Sequence, residues 1–212
     1  MKVRLVLVRH GESRWNAEER YQGQADSGLT AIGRAQAETA ADVLVARFGT
    51  ADLVLASDLP RARDTAEAYA RRVGSPVRED ARLREIDVGD WTGRTFADVA
   101  AAHPDQLAAF ERGEDVRRGG GETFAELRER VWATLTAAAA EAGSGTVLAF
   151  AHGGSIRVAA AAALAVPTPG QRGFAPPVNC SLTVIDYRGP GATHALVGYN
   201  VPTAPAGAGP TD

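Results

Sequence analysis

Val3-Arg4-Leu5-Val6-Leu7-Val8-Arg9-His10-Gly11-Glu12-Ser13 decides the fold. Val3 to Val8 is a short run of Val and Leu, which suits a strand buried on both faces. It breaks abruptly into a polar, glycine-containing turn at Arg9-His10-Gly11. The same design recurs twice. Leu53 to Ala56 is a second apolar strand ending in Ser57-Asp58, with Arg61 shortly after it. Val147 to Ala151 is a third, ending in His152-Gly153-Gly154.

Helical segments separate these strands. Thr30 is placed to cap a helix carrying Ile32, Ala35, Thr39 and Val43 at helical spacing, closed near Gly49. Asp58 is placed to cap the next, with Pro60 in its first turn and Ala62, Ala66, Tyr69 and Val73 as its buried stripe. The spacing predicts one or two short helices over 97–110, interrupted at His103-Pro104, and a loop at Arg117-Arg118-Gly119-Gly120-Gly121. Thr123 and Glu126 have capping-box spacing ahead of the stripe Phe124, Leu127, Val131 and Leu135. An Ala-rich helix follows His152, and Leu182–Tyr187 with Ala195–Tyr199 reads as a hairpin. Strands alternating with helices predict a three-layer α/β sandwich, with a mostly parallel central sheet and helices on both faces. Residues 1–200 are expected to form a single domain, with 201–212 a loose Pro/Gly/Ala-rich tail.

Composition narrows the function. The 212 residues carry 23 basic and 26 acidic side chains, a net charge of -3, which argues against a nucleic-acid partner. Cys180 is the lone cysteine, so neither a disulfide framework nor a thiolate metal cluster is expected, and Cys180 reads as a buried structural residue. His10, His103, His152 and His194 include no close pair at metal-ligand spacing, so no metal and no cofactor is expected. His103, ahead of Pro104, is expected at the surface. The first apolar run is too short for a signal segment, and no stretch is long and uncharged enough to span a bilayer. A cytoplasmic protein without a membrane partner is the expectation, as monomer or homodimer.

Parallel strands place their carboxyl ends along one edge, where such sheets bind ligands. Two His and two Arg then converge, and such a cluster calls for an anion. Phosphate suits it, because Arg offers planar paired donors and a helix start adds backbone N–H groups. Each piece alone has a plainer explanation: Arg9-His10 as a solvated strand end, His152 as a helix-entry residue, Glu85 as an ion-pair partner of Arg82 or Arg84.

The ordered set of motifs is more specific. Arg9-His10-Gly11-Glu12-Ser13 with Trp15-Asn16, Gln22-Gly23, Leu29-Thr30-x-x-Gly33 and Ser57-Asp58-Leu59-x-Arg61-Ala62-x-x-Thr65 resembles the histidine phosphatase superfamily, the phosphoglycerate-mutase-like group. The likeness continues through Leu83-x-Glu85, Gly89-x-Trp91-x-Gly93, Gly121-Glu122 and His152-Gly153-Gly154. The resemblance implies a cofactor-independent phosphomonoesterase acting on a small phosphorylated metabolite. His10 would be the nucleophile, forming a phosphohistidine that water hydrolyses. Arg9, Arg61, His152 and Asn16 would hold the phosphoryl oxygens, His152 as a protonated donor. Glu85 would be the general acid and base, with Asp87 the runner-up. Gln22, Gly23 and Gly153 would line the substrate side. Glu122 would hold a helix start or orient an arginine of the site, and Trp91, Arg94, Phe110, Arg117 and Arg118 are candidates for a lid over the leaving group.

Two rival readings remain at this level. A phosphoglycerate mutase is expected to carry Glu-Arg-His-Tyr-Gly after the acid and a longer closing insertion. Here Glu85-Ile86-Asp87-Val88-Gly89-Asp90-Trp91 and the short 93–121 segment resemble the phosphatase branch, glucosyl-3-phosphoglycerate being one candidate substrate. A non-catalytic phospho-ligand-binding domain would lack part of the His/Arg/Glu set. Ser27-Gly28 departs from the family pattern, where many members have Pro, and predicts a looser loop beside Gln22 and Gly23.

Overall fold

The computed structural model describes residues 2–204. In chain order its elements are β1 (Val3–Arg9), α1 (Arg14–Ala17), α2 (Ala31–Phe48), β2 (Leu53–Ala56), α3 (Pro60–Val73), β3 (Arg78–Glu79), α4 (Phe96–Ala102), α5 (Pro104–Glu111), α6 (Phe124–Ala142), β4 (Gly145–Ala151), α7 (Gly153–Ala163), β5 (Leu182–Tyr187) and β6 (Ala195–Val201). The six strands form one sheet in the order β3-β2-β4-β1-β5-β6. Pairing is parallel from β3 through β1, and antiparallel where β5 and β6 extend the edge. Of the six strands, sequence patterning missed the two-residue β3, too short to have a period.

Alternation along β1 explains the three layers. Val3, Leu5 and Leu7 face one side, where they pack with Leu127, Val131, Leu135 and Ile156 of α6 and α7. Val6 and Val8 face the other, against Leu44 of α2 and Ala66 and Tyr69 of α3. All five strand residues are fully buried, each contributing roughly 1.5–3 kcal/mol by the apolar surface it removes from water. A polar residue at any of them would lose that and leave an unpaired group in the core.

Local signals hold at most boundaries. Thr30 caps α2 by accepting from the Gly33 N–H, and Gly49 closes it. The Thr123/Glu126 capping box is present, and His103-Pro104 separates α4 from α5. Asp58 does not cap α3. Leu59 stands at that position without a side-chain bond, because the Asp58 carboxylate pairs with Arg84 across two hydrogen bonds of 2.7 and 2.5 Å. His103 is not a free surface group either; its ring lies 6.0 Å from that of Trp91, and its Nε2 is buried. Val201 belongs to β6 and Thr203 Oγ1 donates to the Cys180 carbonyl, so 201–203 are tied to the domain and not a loose tail; residues 205–212 lie outside those described.

Gly33 shows why a helix interior here requires glycine. A Cβ at this position would sit 2.0 Å from the Glu12 carbonyl oxygen. Helix propensity alone would make Gly33→Ala stabilising by up to about 1 kcal/mol. We expect the reverse, a loss of about 1–3 kcal/mol from overpacking against backbone that cannot yield. Urea unfolding would register it as a lower midpoint; an unchanged or higher midpoint would contradict the close approach.

Candidate active site

β2, β4 and β1 are parallel neighbours, so the segments after Ala56, Ala151 and Arg9 emerge side by side. Between them lies a cleft of about 250 Å³. Arg9, His10, Asn16, Gln22, Gly23, Arg61, Glu85 and Gly153 all line it. His152 packs behind, its ring centroid 5.2 Å from that of His10. His10, Glu85, Arg9, Arg61, His152, Asn16, Gln22, Gly23 and Gly153 are therefore in one place.

His10 is 3% exposed, and its Nδ1 lies 2.6 Å from the Gly11 carbonyl oxygen. A carbonyl can only accept, so Nδ1 carries the proton and Nε2 keeps a free lone pair. Burial, then Arg61 and Arg9, hold the imidazole well below its ordinary pKa, so it stays neutral. His152 is fully buried with no partner on either ring nitrogen. Burial, Arg61, His10 and Arg9 hold it neutral as well. Arg61, His10, Arg9 and Arg130 all oppose a charge on His152 in the free protein, so the protonated donor expected from sequence requires a bound anion to offset them.

That shift has a measurable sign. Unfolded imidazoles titrate near 6.5, while both buried rings resist protonation at that pH. The unfolded state then binds more protons as pH falls below about 6.5, and stability drops through that window. Thermal melts between about pH 7 and 5 should show a falling Tm, with a shallower fall in inorganic phosphate, whose charge favours the imidazolium forms. A flat Tm across that range would contradict neutral buried histidines.

Arg61 is 1% exposed and organises the loop opposite. It donates to the carbonyls of Gly23 at 2.8 Å and Ala25 at 2.6 Å, and pairs with Asp26 at 3.2 Å. The loop thereby wraps around the guanidinium and brings Gln22 and Gly23 to the cleft. Ser27 accepts from the Trp15 N–H and donates to Gln22 Oε1, and Asp26 accepts from the Gly28 N–H. Ser27-Gly28 is thus tied at several points rather than loose, and Gly28 takes φ 73°, a value proline cannot adopt. Thr65 links the two motifs: its hydroxyl donates to the Arg61 carbonyl and accepts from the Gly11 N–H.

Arg9 Nε and Arg61 Nε are buried without a protein partner, as are both nitrogens of His152. Such groups are costly when unpaired. Together with the start of α7 they make an anion cradle at the sheet edge. Asn16 Oδ1 accepts from the Ser13 N–H and from Asn179, leaving its amide N–H groups as donors; Asn179 also donates to the His10 carbonyl.

Glu85 is not a surface ion-pair partner. Arg82 pairs with Asp80 and Arg84 with Asp58. Glu85 instead accepts from the Gly154 N–H at 3.0 Å and the Ile86 N–H at 2.9 Å. A Cβ at residue 154 would lie 2.3 Å from Glu85 Oε1, which accounts for the second glycine after His152. Asp87 does not line the cleft; its carboxylate accepts from Gly89. Glu122 orients an arginine outside the cleft: it holds Arg130 at 2.8 and 2.7 Å, and Arg130 donates to the carbonyls of Arg82, Arg84 and Glu85. That clamp fixes the segment carrying Glu85.

The lid candidates divide. Arg118 lines the cleft, whereas Arg117 pairs with Glu126 outside it, Trp91 is core, Arg94 is exposed and Phe110 packs beneath Arg118. Arg157, Tyr21, Phe96 and Phe124 also line it and escaped the sequence reading. Arg157 alone carried a findable signal, four residues after Gly153 and so on the same face of α7.

The family model described as histidine phosphatase superfamily (branch 1) matches residues 5–200. The chain belongs to that superfamily. It is 41% identical over 175 residues to glucosyl-3-phosphoglycerate phosphatase of Mycolicibacterium vanbaalenii, covering 79% of this chain and 77% of the relative. It is 35% identical over 187 residues to a probable phosphoglycerate mutase of Salmonella choleraesuis, covering 88% and 86%. Among solved structures, a mycobacterial glucosyl-3-phosphoglycerate phosphatase complexed with VO3 superposes with a TM-score of 0.84 at 35% identity, covering 93% of this chain and 99% of that one. The histidine phosphatase fold is thus established, and among the described residues no helix is long and apolar enough to cross a membrane.

Proposed function

We propose that this member of the histidine phosphatase superfamily is a phosphoric monoester hydrolase working through a phosphohistidine at His10, with a glycosylated phosphoglycerate as its substrate. The observation that carries the mechanism is His10 itself, which lines the cleft with its Nδ1 tied to the Gly11 carbonyl, leaving the Nε2 lone pair for attack. Nε2 attacks phosphorus as the ester P–O bond breaks, and Glu85 gives its proton to the departing alkoxide. Glu85 then takes a proton from water as that water attacks phosphorus, breaking the P–N bond and restoring neutral His10. Arg9, Arg61, His152 and Asn16 stabilise the charge spread over the three phosphoryl oxygens, where most of the acceleration in phosphoryl transfer arises. Gln22, Gly23 and Gly153 line the remaining wall. None of these steps requires a metal or an organic cofactor.

The substrate reading is supported by the relatives named for glucosyl-3-phosphoglycerate. A metabolite of that kind fits a cytoplasmic enzyme. We also propose that residues 1–200 act as one domain, because the site draws on segments from Arg9 to Asn179.

The test is steady-state phosphate release from a panel of monoesters, with EDTA present. The panel holds p-nitrophenyl phosphate, 3-phosphoglycerate, its 2-O-glucosyl derivative and sugar phosphates. Release led by the glucosyl ester supports the reading. Transfer of the phosphoryl group to a second phosphoglycerate rather than to water would favour the mutase, and release from no ester would overturn the hydrolase.

A further inference from the structure

Two guanidinium groups of the cleft have no part in the phosphoryl chemistry. Arg118 stands on the turn after Arg117, its guanidinium over the rings of Phe110 and Phe124 at 4.3 and 4.5 Å. Stacking of this kind fixes the plane of the group without consuming its N–H donors. Arg157 lies one turn into α7 and spends one bond, at 3.2 Å, on the Gln171 carbonyl. The Nε of each is buried without a protein partner, and neither is ion-paired with a described carboxylate. Burial and Arg157 push Arg118 down to about 10, so it remains a cation at neutral pH, with Glu85 and Asp115 acting on it from beyond ion-pair distance.

The turn carrying Arg118 is held rigidly against the Glu85 segment. A Cβ on Gly119 would meet the Val88 carbonyl oxygen at 2.3 Å, and one on Gly121 the Asp87 carbonyl oxygen at 2.3 Å. The glycine run therefore lets two backbones touch, fixing Arg118 relative to Glu85. The positive groups of the cleft also fall into two sets. Arg9 and Arg61 dominate the field at His10 and His152. Arg157 acts on Arg118, and both feel Glu85, which is also felt by Arg9 and Arg61. Glu85 thus acts on both sets, and all five side chains line the same cleft.

We propose that Arg118 and Arg157 form an anion subsite for a carboxylate on the leaving alcohol, so that the enzyme prefers phosphate monoesters of hydroxy acids. This rests on the hydrolase reading above and adds the residues that recognise the alcohol. A carboxylate there would satisfy two half-buried cations, whereas a neutral alcohol would leave them unpaired. A site built for a polar group discriminates strongly against the analogue that lacks it.

The experiment compares kcat/KM for 3-phosphoglycerate and glycerol 3-phosphate, which differ by a carboxylate against a hydroxymethyl group, and for their 2-O-glucosyl derivatives. Wild type, Arg118→Ala, Arg157→Ala and the control Arg117→Ala are measured, with thermal melts as a check on folding. The expected result is a wild-type preference for the carboxylated member of each pair, reduced about tenfold or more by Arg118→Ala and by Arg157→Ala and kept by Arg117→Ala. No wild-type preference, or equal losses on both members of a pair, overturns the subsite. If wild type releases phosphate from none of them, the hydrolase reading fails, and calorimetry decides the subsite separately. Binding of 3-phosphoglycerate to His10→Ala should then be about tenfold tighter than to His10→Ala/Arg118→Ala; equal affinities would overturn it.

Discussion

His10→Ala should lower kcat for every phosphate monoester by about four orders of magnitude or more, because it removes the nitrogen proposed to accept the phosphoryl group. The rest of the cradle does not depend on the imidazole. Arg61 is held by Gly23, Ala25 and Asp26, and Arg9 donates to the Pro177 carbonyl. Inorganic phosphate should therefore still bind the variant within about tenfold of wild type, a split between turnover and binding that a misfolded protein would not give. Phosphate release by purified variant and calorimetric titration together check it. Turnover within a few-fold of wild type would remove His10 as nucleophile.

Glu85→Gln should be the next largest loss, and it should depend on the leaving group. For alkyl esters, whose alkoxide needs a proton, kcat should fall by about 10²–10⁴-fold. p-Nitrophenolate leaves without one, so phosphorylation of His10 should remain fast while the water step, which needs Glu85 as base, slows. The expected trace is a burst of one p-nitrophenolate per site followed by slow turnover. A uniform loss on all esters without a burst would contradict the acid and base assignment. The clamp of Arg130 on the Arg82, Arg84 and Glu85 carbonyls keeps the segment in place in the variant, so the change is one of proton transfer.

The fold and the His/Arg cluster were legible from residues 3–157 because Arg9, His10, Arg61 and His152 each follow a strand whose apolar run is unmistakable, whereas Glu85 was legible only through the motif resemblance. Val3 to Val8, Leu53 to Ala56 and Val147 to Ala151 announce buried parallel strands, and parallel order alone brings Arg9, His10, Arg61 and His152 to one edge. What escaped depends on contacts far apart in the chain. Asp58 has the right spacing to cap α3, but Arg84, 26 residues on, competes for it and wins with two charge-assisted bonds. The charge state of His152 depends on how deeply it is buried beside Arg61 and Arg9, which no local pattern reports. Adjacent Arg117 and Arg118 are equivalent by composition and opposite in place: Glu126, one turn into α6, captures the first, while Phe110 and Phe124 receive the second. Asn179 reaches His10 and Asn16 from across 169 and 163 positions, a separation invisible to any spacing rule.

The central claim is covalent, and trapping the intermediate tests it most directly. Protein mixed with ester labelled in the phosphoryl group and quenched in base within one turnover should carry label on the His10 peptide, stable to alkali and released by acid. Glu85→Gln should accumulate it to near one per site, and His10→Ala should carry none. Label on a different residue, or full turnover with no label at any quench time, would contradict the account.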